Sequence, residues 1–578
     1  MPARSGAVHV VTTKRKYKGR VYATHLLRRS YRDGDKVKNE TLGNLSHLPD
    51  PLVEMIRRSL RGEVFVPTDE RIEITASKAH GQIQAVRTAM HRLGFDVLIS
   101  SRSDRERDLV IAMVTARIVA PHTKLATTRW WHTTTLAEDL GVAEATEDDL
   151  YRAMDWLRSR QDIIERKLAG RHLEEGSLVL YDLSSSYFEG THCPLARLGH
   201  NRDGKKGKLQ VNFGLLTDRR GCPVAVSVFD GNVGDTKTLM PQVKKLKESF
   251  GIGTLVLVGD RGMISQKQID ALKDFDGVDW ITALKSGAIQ KLIEGGRLQL
   301  GLFDERNLFE LTHPDYPGER LVACRNPDLG RLRAHKRQSL LAATAKELGK
   351  VSGMVARKRL RGKDAIGVRV GRVVNKYKMA KHFELTIKDD HFDYRVRSDE
   401  VATEAALDGM YVVRTSVAKK EMGSDQVVRN YKQLSQVERA FRSMKTIDLK
   451  VRPIHHRDAE RVKSHIFLCM LAYYVEWHMR EAWRSLLFAD EDQDAKRTRN
   501  PVAPAKRSEA AEEKVATHEL ADGTPAHSFG TLLEVLGTIV RNICRPPGAE
   551  DDTFSFRVTT IPNPKQRQAL QLLETIKM

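Results

Sequence analysis

Two short apolar runs constrain this chain most. Leu178-Val179-Leu180-Tyr181 ends on Asp182, and Leu255-Val256-Leu257-Val258-Gly259 ends on Asp260. Val- and Leu-rich runs of this length suit strands buried on both faces of a sheet. An acid at the end of each puts two carboxylates at the carboxyl edge of that sheet, where open α/β sheets place their chemistry. A single strand-terminal Asp is more often a cap or turn former. Two in one sheet of a strongly basic chain favour a shared site. Asp218, Asp230 and Asp408 each sit in a Gly-containing turn and read as turn formers.

The net charge of +21 and a pI near 9.6 call for a polyanionic partner, nucleic acid first. The five cysteines, Cys193, Cys222, Cys324, Cys469 and Cys544, are scattered and never in a CxxC pair. Neither a disulfide framework nor a zinc site is expected, and a reducing cytoplasm is the default compartment. The N-terminus has no apolar signal core. The longest apolar run, Ile466 to Val475, is about half of what spans a bilayer, so no membrane partner is expected.

The length allows roughly four domains. Residues 1–66 alternate in short β pieces around Lys14-Arg15-Lys16 and the turn Asp33-Gly34-Asp35, a small basic β subdomain. Residues 67–175 are helical by pattern and a possible DNA-binding domain, with Thr146 as an N-cap and Trp130-Trp131 anchoring the core. Residues 176–288 read β, β, β, α, β, α, β, a hairpin meander followed by crossovers and so a mixed α/β sheet. Residues 289–405 break this rhythm as an inserted mixed α/β subdomain. The core pattern returns over 406–486. Residues 487–527 lack large apolar side chains and read as a flexible linker, and 528–578 as a helical tail.

A third carboxylate should come from an element packed beside the strand ends, and Glu438 fits. Between Asn430 and Lys445 an apolar stripe runs Leu434, Val437, Phe441, Met444, a core-facing helical spacing. Beside it run Tyr431, Ser435, Glu438, Arg442 and Lys445, which places Glu438 at the edge of the buried face. The plain alternative is a Glu438–Arg442 pair worth a few tenths of a kcal/mol. Three carboxylates without soft ligands select Mg²⁺, with Mn²⁺ as a substitute. Two such ions about 3.5–4 Å apart would serve an in-line displacement at phosphorus. Residues 426–452 carry seven basic residues against two acids, with Arg439, Arg442 and Lys445 among them, suited to holding phosphates.

Tyr181-Asp182-Leu183-Ser184, Gly231-Asn232 with Asp235, Gly259-Asp260-Arg261-Gly262 and the stretch Tyr431 to Lys445 together resemble the DDE transposases of bacterial insertion sequences, in the group with a Tyr-Arg-Glu-Lys signature. Tyr431, Glu438 and Lys445 match the signature spacing; Leu434 stands where Arg is expected. The resemblance covers roughly 175–480. It implies an RNase H-like catalytic fold with Asp182, Asp260 and Glu438 as catalytic metal ligands. It implies DNA contacts from Tyr431, Arg439, Arg442 and Lys445, and an insertion ahead of the Glu438 helix. Trp280 is expected in the core, with a DNA-end role as the alternative. The implied partners are double-stranded terminal inverted repeats and target DNA, handled by a homodimer in the bacterial cytoplasm at the nucleoid. A catalytically silent DNA-binding protein on the same scaffold, or a nuclease that cuts without joining, remains open at this stage.

Overall fold

The computed structural model describes residues 6–577 apart from 19, 35, 64, 66–71, 191, 300–302 and 547–554. Asp35 of the expected turn lies outside the described residues. The chain forms two compact units, one from 1–77 with 541–559 and one from 78–540 with 560–578.

In the first unit β1 (Val8–Tyr17), β2 (Arg20–Asp33) and β3 (Lys36–Asn44) make an antiparallel meander. Gly34 takes φ +61° in the turn between β2 and β3, a left-handed conformation that glycine adopts without penalty. A second sheet joins β4 (Glu73–Ala79) to the strands Val540–Arg545 and Phe556–Thr559. Part of 528–578, read as a helical tail, is therefore extended. Those strands are only six and four residues long and carry Arg541, Arg545 and Arg557, so their period-2 signal is weak.

The second unit opens with helices Gly81–Arg92, Arg105–Val119, Glu147–Ser159 and Gln161–His172. Thr146 and Asp149 close a reciprocal capping box at the start of the third, and Trp131 is fully buried. Helix Ala459–Ala482 carries the apolar run Ile466–Val475, every residue of which is buried. A helix apolar all round is a core helix here. No single helix among the described residues is long and apolar enough to cross a membrane.

The central sheet begins with β5 (Ser177–Tyr187), β6 (Gln210–Thr217) and β7 (Pro223–Asp230), an antiparallel meander. Helix Asp235–Lys244 leads to β8 (Leu255–Val258), and helix Gln266–Leu272 to β9 (Val278–Ala283), which holds Trp280 in the core. β8 pairs parallel with both β5 and β9. The β, β, β, α, β, α, β order of the sequence is thus the observed one, an RNase H-like mixed sheet.

Past β9 the chain departs from the expected insertion. β10 (Leu308–Leu311) and β11 (Arg320–Arg325) join the central sheet rather than an independent body. Helices Pro327–Ala356 and Lys363–Tyr377 and the hairpin of β12 (Phe383–Ile387) with β13 (Phe392–Val396) form a separate apolar cluster around Leu348, Ile366, Val370 and Phe383. β14 (Met410–Thr415) then inserts between β11 and β9, giving the eight-strand order β10-β11-β14-β9-β8-β5-β6-β7. Residues 487–527, expected as a flexible linker, hold helices Gln493–Thr498 and Glu509–Thr517. Small side chains do the packing there: Val502 and Ala511 are buried. Ser508 accepts from the Ala511 N–H and donates to Asp490 at 2.9 Å.

Candidate active site

The register of β5 sets the site. β8 pairs with it only from Ser177–Leu255 to Leu180–Val258, whereas β6 follows it to Tyr187–Gln210. Asp182 therefore lies inside a strand and not at its end, contrary to the reading from its apolar run. The strand continues because β6 supplies a backbone partner at every residue through the polar Ser184-Ser185-Ser186 stretch. Their hydroxyls are buried, and two find partners: Lys445 Nζ donates to Ser184 Oγ at 3.0 Å and the Arg202 N–H to Ser185 Oγ at 3.1 Å. Asp182 and Asp260 still stand level, because each is two residues past the last β5–β8 pair.

Asp182 is half-buried, and its own neighbour Leu183 donates an N–H to Oδ1 at 2.8 Å. Burial pushes its carboxyl up to about 7; the Leu183 bond and Arg202 oppose this, and the charges of Asp260 and Glu438 add to it. Asp260 is exposed on the turn after β8, where its carbonyl accepts from the Met263 and Ile264 N–H groups. Burial first, then the Asp260 charge, holds the Tyr431 phenol well above its ordinary range. Glu438 acts on both Asp182 and Tyr431.

Glu438 is carried by helix Leu434–Arg442, which buries Val437, Ala440 and Phe441 and leaves Glu438, Arg439 and Arg442 exposed. Phe441 seats the helix by an edge-on contact with Phe213 of β6, centroids 5.4 Å apart. The helix read over Tyr431–Lys445 is not continuous. It breaks at Gln433 and ends in a wider π turn, Ser443–Ile447. That turn rotates Lys445 inward, away from the exposed face of Arg442. Among the described residues Glu438 and Arg442 form no ion pair within 4.0 Å, nor do Asp182 and Asp260 pair with any cation at that distance.

Lys445 is buried, and its principal partner is one the sequence did not single out. Asp203, from the basic loop 200–208, has a side chain 1% exposed and pairs with Lys445 at 2.5 Å and with Arg452. Its other oxygen accepts the Tyr187 N–H at 3.0 Å. Arg202 beside it pairs with Asp235 at 2.5 Å. Asp203 lies in a polar, basic stretch of the sequence, and only the fold shows it closing over β5. Burial lowers the Lys445 ammonium, with Asp203 opposing.

The site thus gathers Asp182, Asp260, Glu438 and Tyr431 into one electrostatic neighbourhood. Arg439 and Arg442 stand exposed on the Glu438 helix, and Lys445 is sequestered. Among the described residues the ligand atoms that close to within 4.8 Å as a trio belong to His172, Cys222 and His478; the three carboxylates are set wider.

Residues 178–475 match the transposase DDE domain family. The chain belongs to the DDE transposases. Residues 10–67 match the N-terminal domain of IS1634 family transposases. No curated protein matches the transposase by sequence. Among solved structures it is similar to a piggyBac transposase synaptic complex with hairpin DNA determined by cryo-EM. The identity is 10% and the TM-score 0.34, over 79% of this chain and 76% of that one.

Proposed function

We propose that this transposase cuts DNA at insertion-sequence ends and joins the freed 3′-hydroxyls to target DNA, using divalent metal ions at Asp182, Asp260 and Glu438. The observation that carries the proposal is the level pair Asp182–Asp260 with Glu438 close enough to raise Asp182, none of the three in an ion pair within 4.0 Å among the described residues. Their donors are hard carboxylate oxygens, which fit Mg²⁺, with Mn²⁺ as a substitute. A pair of ions sharing the set would serve an in-line displacement at phosphorus. Bound there, the ions supply activation of a water or 3′-hydroxyl and stabilisation of the leaving oxygen.

The remaining roles fall to the chain itself. Tyr431, half-buried and within reach of the charges of Asp260 and Glu438, contacts the DNA backbone beside them. Arg439 and Arg442, exposed beside Glu438, hold backbone phosphates of double-stranded DNA. Lys445 acts from within, fixing the π turn to Ser184 and Asp203 so that Glu438 keeps its place above β5. Two ends must be processed together, so the working form is a homodimer on its DNA.

A supercoiled donor plasmid carrying the element's ends, incubated with protein and Mg²⁺, tests this. Nicking and joined products are expected, and Asp182→Ala abolishes both. Cutting without joining would identify a nuclease, and binding without cutting a silent DNA-binding protein.

A further inference from the structure

The sequence shows no cysteine pair of the zinc-ribbon type, yet the fold assembles soft ligands from three distant segments. His172 ends helix Gln161–His172, Cys222 follows the turn between β6 and β7, and His478 lies on helix Ala459–Ala482. Cys222 Sγ is 3.8 Å from His478 Nε2 and 4.0 Å from His172 Nε2. For bonds of about 2.3 Å to sulfur and 2.0–2.1 Å to nitrogen, a tetrahedral zinc ion sets S···N separations near ~3.6 Å. Both S···N separations are within a few tenths of an ångström of that spacing, and all three ligand atoms lie within 4.8 Å of one another.

The surroundings also suit an ion. Cys222 and His478 are buried, while His172 is partly exposed and leaves a way in. The hairpin is rigid where it presents the thiol, since Asp218 accepts from the Cys222 N–H at 3.0 Å and pairs with Arg220 at 2.9 Å. The Tyr474 hydroxyl hydrogen-bonds His172 Nε2 at 3.1 Å, a bond that metal binding would replace. Packing alone explains buried aromatic histidines, but it does not require both Nε2 atoms to face one sulfur.

We propose that His172, Cys222 and His478 form a Zn²⁺ site that ties helix Gln161–His172, the β6–β7 turn and helix Ala459–Ala482 together. On binding, the Cys222 S–H proton leaves to solvent as the sulfur–zinc bond forms, one proton per ion. The site is distinct in chemistry from the carboxylate cluster and does not depend on the reading of that cluster.

Co²⁺ titration of the metal-stripped full-length protein tests it. One equivalent is expected to give a thiolate-to-cobalt charge-transfer band in the near ultraviolet with tetrahedral d–d bands. Zn²⁺ displaces these bands and Mg²⁺ does not, and Zn²⁺ raises the melting temperature. Cys222→Ser removes the charge-transfer band while the far-ultraviolet circular dichroism is unchanged. His172→Gln, at the partly exposed position, keeps the band but weakens cobalt binding by at least about tenfold, and decides the matter if the Cys222 variant fails to fold. Absence of a thiolate band in the wild type, or a band of unchanged affinity in both variants, overturns the proposal.

Discussion

Asp182 and Asp260 stand level across a parallel strand pair, each two residues beyond the Leu180–Val258 pairing that ends it. Backbone register, not closeness in sequence, brings the two acids together. Glu438 arrives much later in the chain, on a helix clamped to the same sheet by Phe441 against Phe213. The charges of Asp260 and Glu438 add to the upward shift of Asp182, against the opposing charge of Arg202.

The position of Asp182 has a cost in the metal-free protein. Its folded carboxyl is raised to about 7, against about 3.9 in an unfolded chain. Between those values the folded chain keeps a proton that the unfolded chain has released. Stability from this group is therefore full below about pH 4, falls as pH rises and levels off above about 7, by at most about 4 kcal/mol. Metal-free Asp182→Asn should melt above wild type at pH 8, with the gap closing toward pH 4. Melting curves across that range check it; a gap independent of pH contradicts it.

Asp203 holds two cations, Lys445 and Arg452, in a nearly dry setting. Asp203→Asn should destabilise the protein by about 3–5 kcal/mol, since breaking a buried pair strands the charge left behind. Adding Lys445→Met should recover part of the loss. Denaturant unfolding of the single and double variants measures the coupling, and simple additivity would contradict the network.

Arg439 and Arg442 should behave differently from Lys445. Both are exposed, so Arg439→Ala and Arg442→Ala should change stability by less than about 0.5 kcal/mol. Each should weaken DNA binding and lower the salt slope of affinity by about one counterion. Lys445→Ala should instead lower the melting temperature. Binding titrations at several salt concentrations, paired with melts, separate the two classes.

Much of this was legible in the sequence because buried strands write themselves as apolar runs: Leu178–Tyr181 and Leu255–Val258 announce the sheet and lead to both acids. The extent of β5 was not legible, since Ser184-Ser185-Ser186 carries no apolar signal, and Lys445 and loop 200–208 satisfy only the Ser184 and Ser185 hydroxyls. β11 was lost for a different reason. Four apolar residues, Leu321 to Cys324, are too few for periodicity to assign them to a distant sheet. Asp203 gave no signal of its own, because its role comes from contacts with Lys445 and Arg452 far along the chain. Cys222 gave no signal either, because its histidine neighbours are 50 and 256 residues away.

The most direct test of the central claim, that Asp182, Asp260 and Glu438 form one metal centre, is iron-mediated cleavage of the protein itself. Fe²⁺ bound in place of Mg²⁺, with ascorbate and peroxide, cuts backbone close to the ion. The account predicts fragments ending near residues 182, 260 and 438 in the same reaction, all suppressed by excess Mg²⁺ and all lost in Asp182→Asn. Cuts confined to one of the three segments, or cuts that Mg²⁺ leaves unchanged, would contradict it.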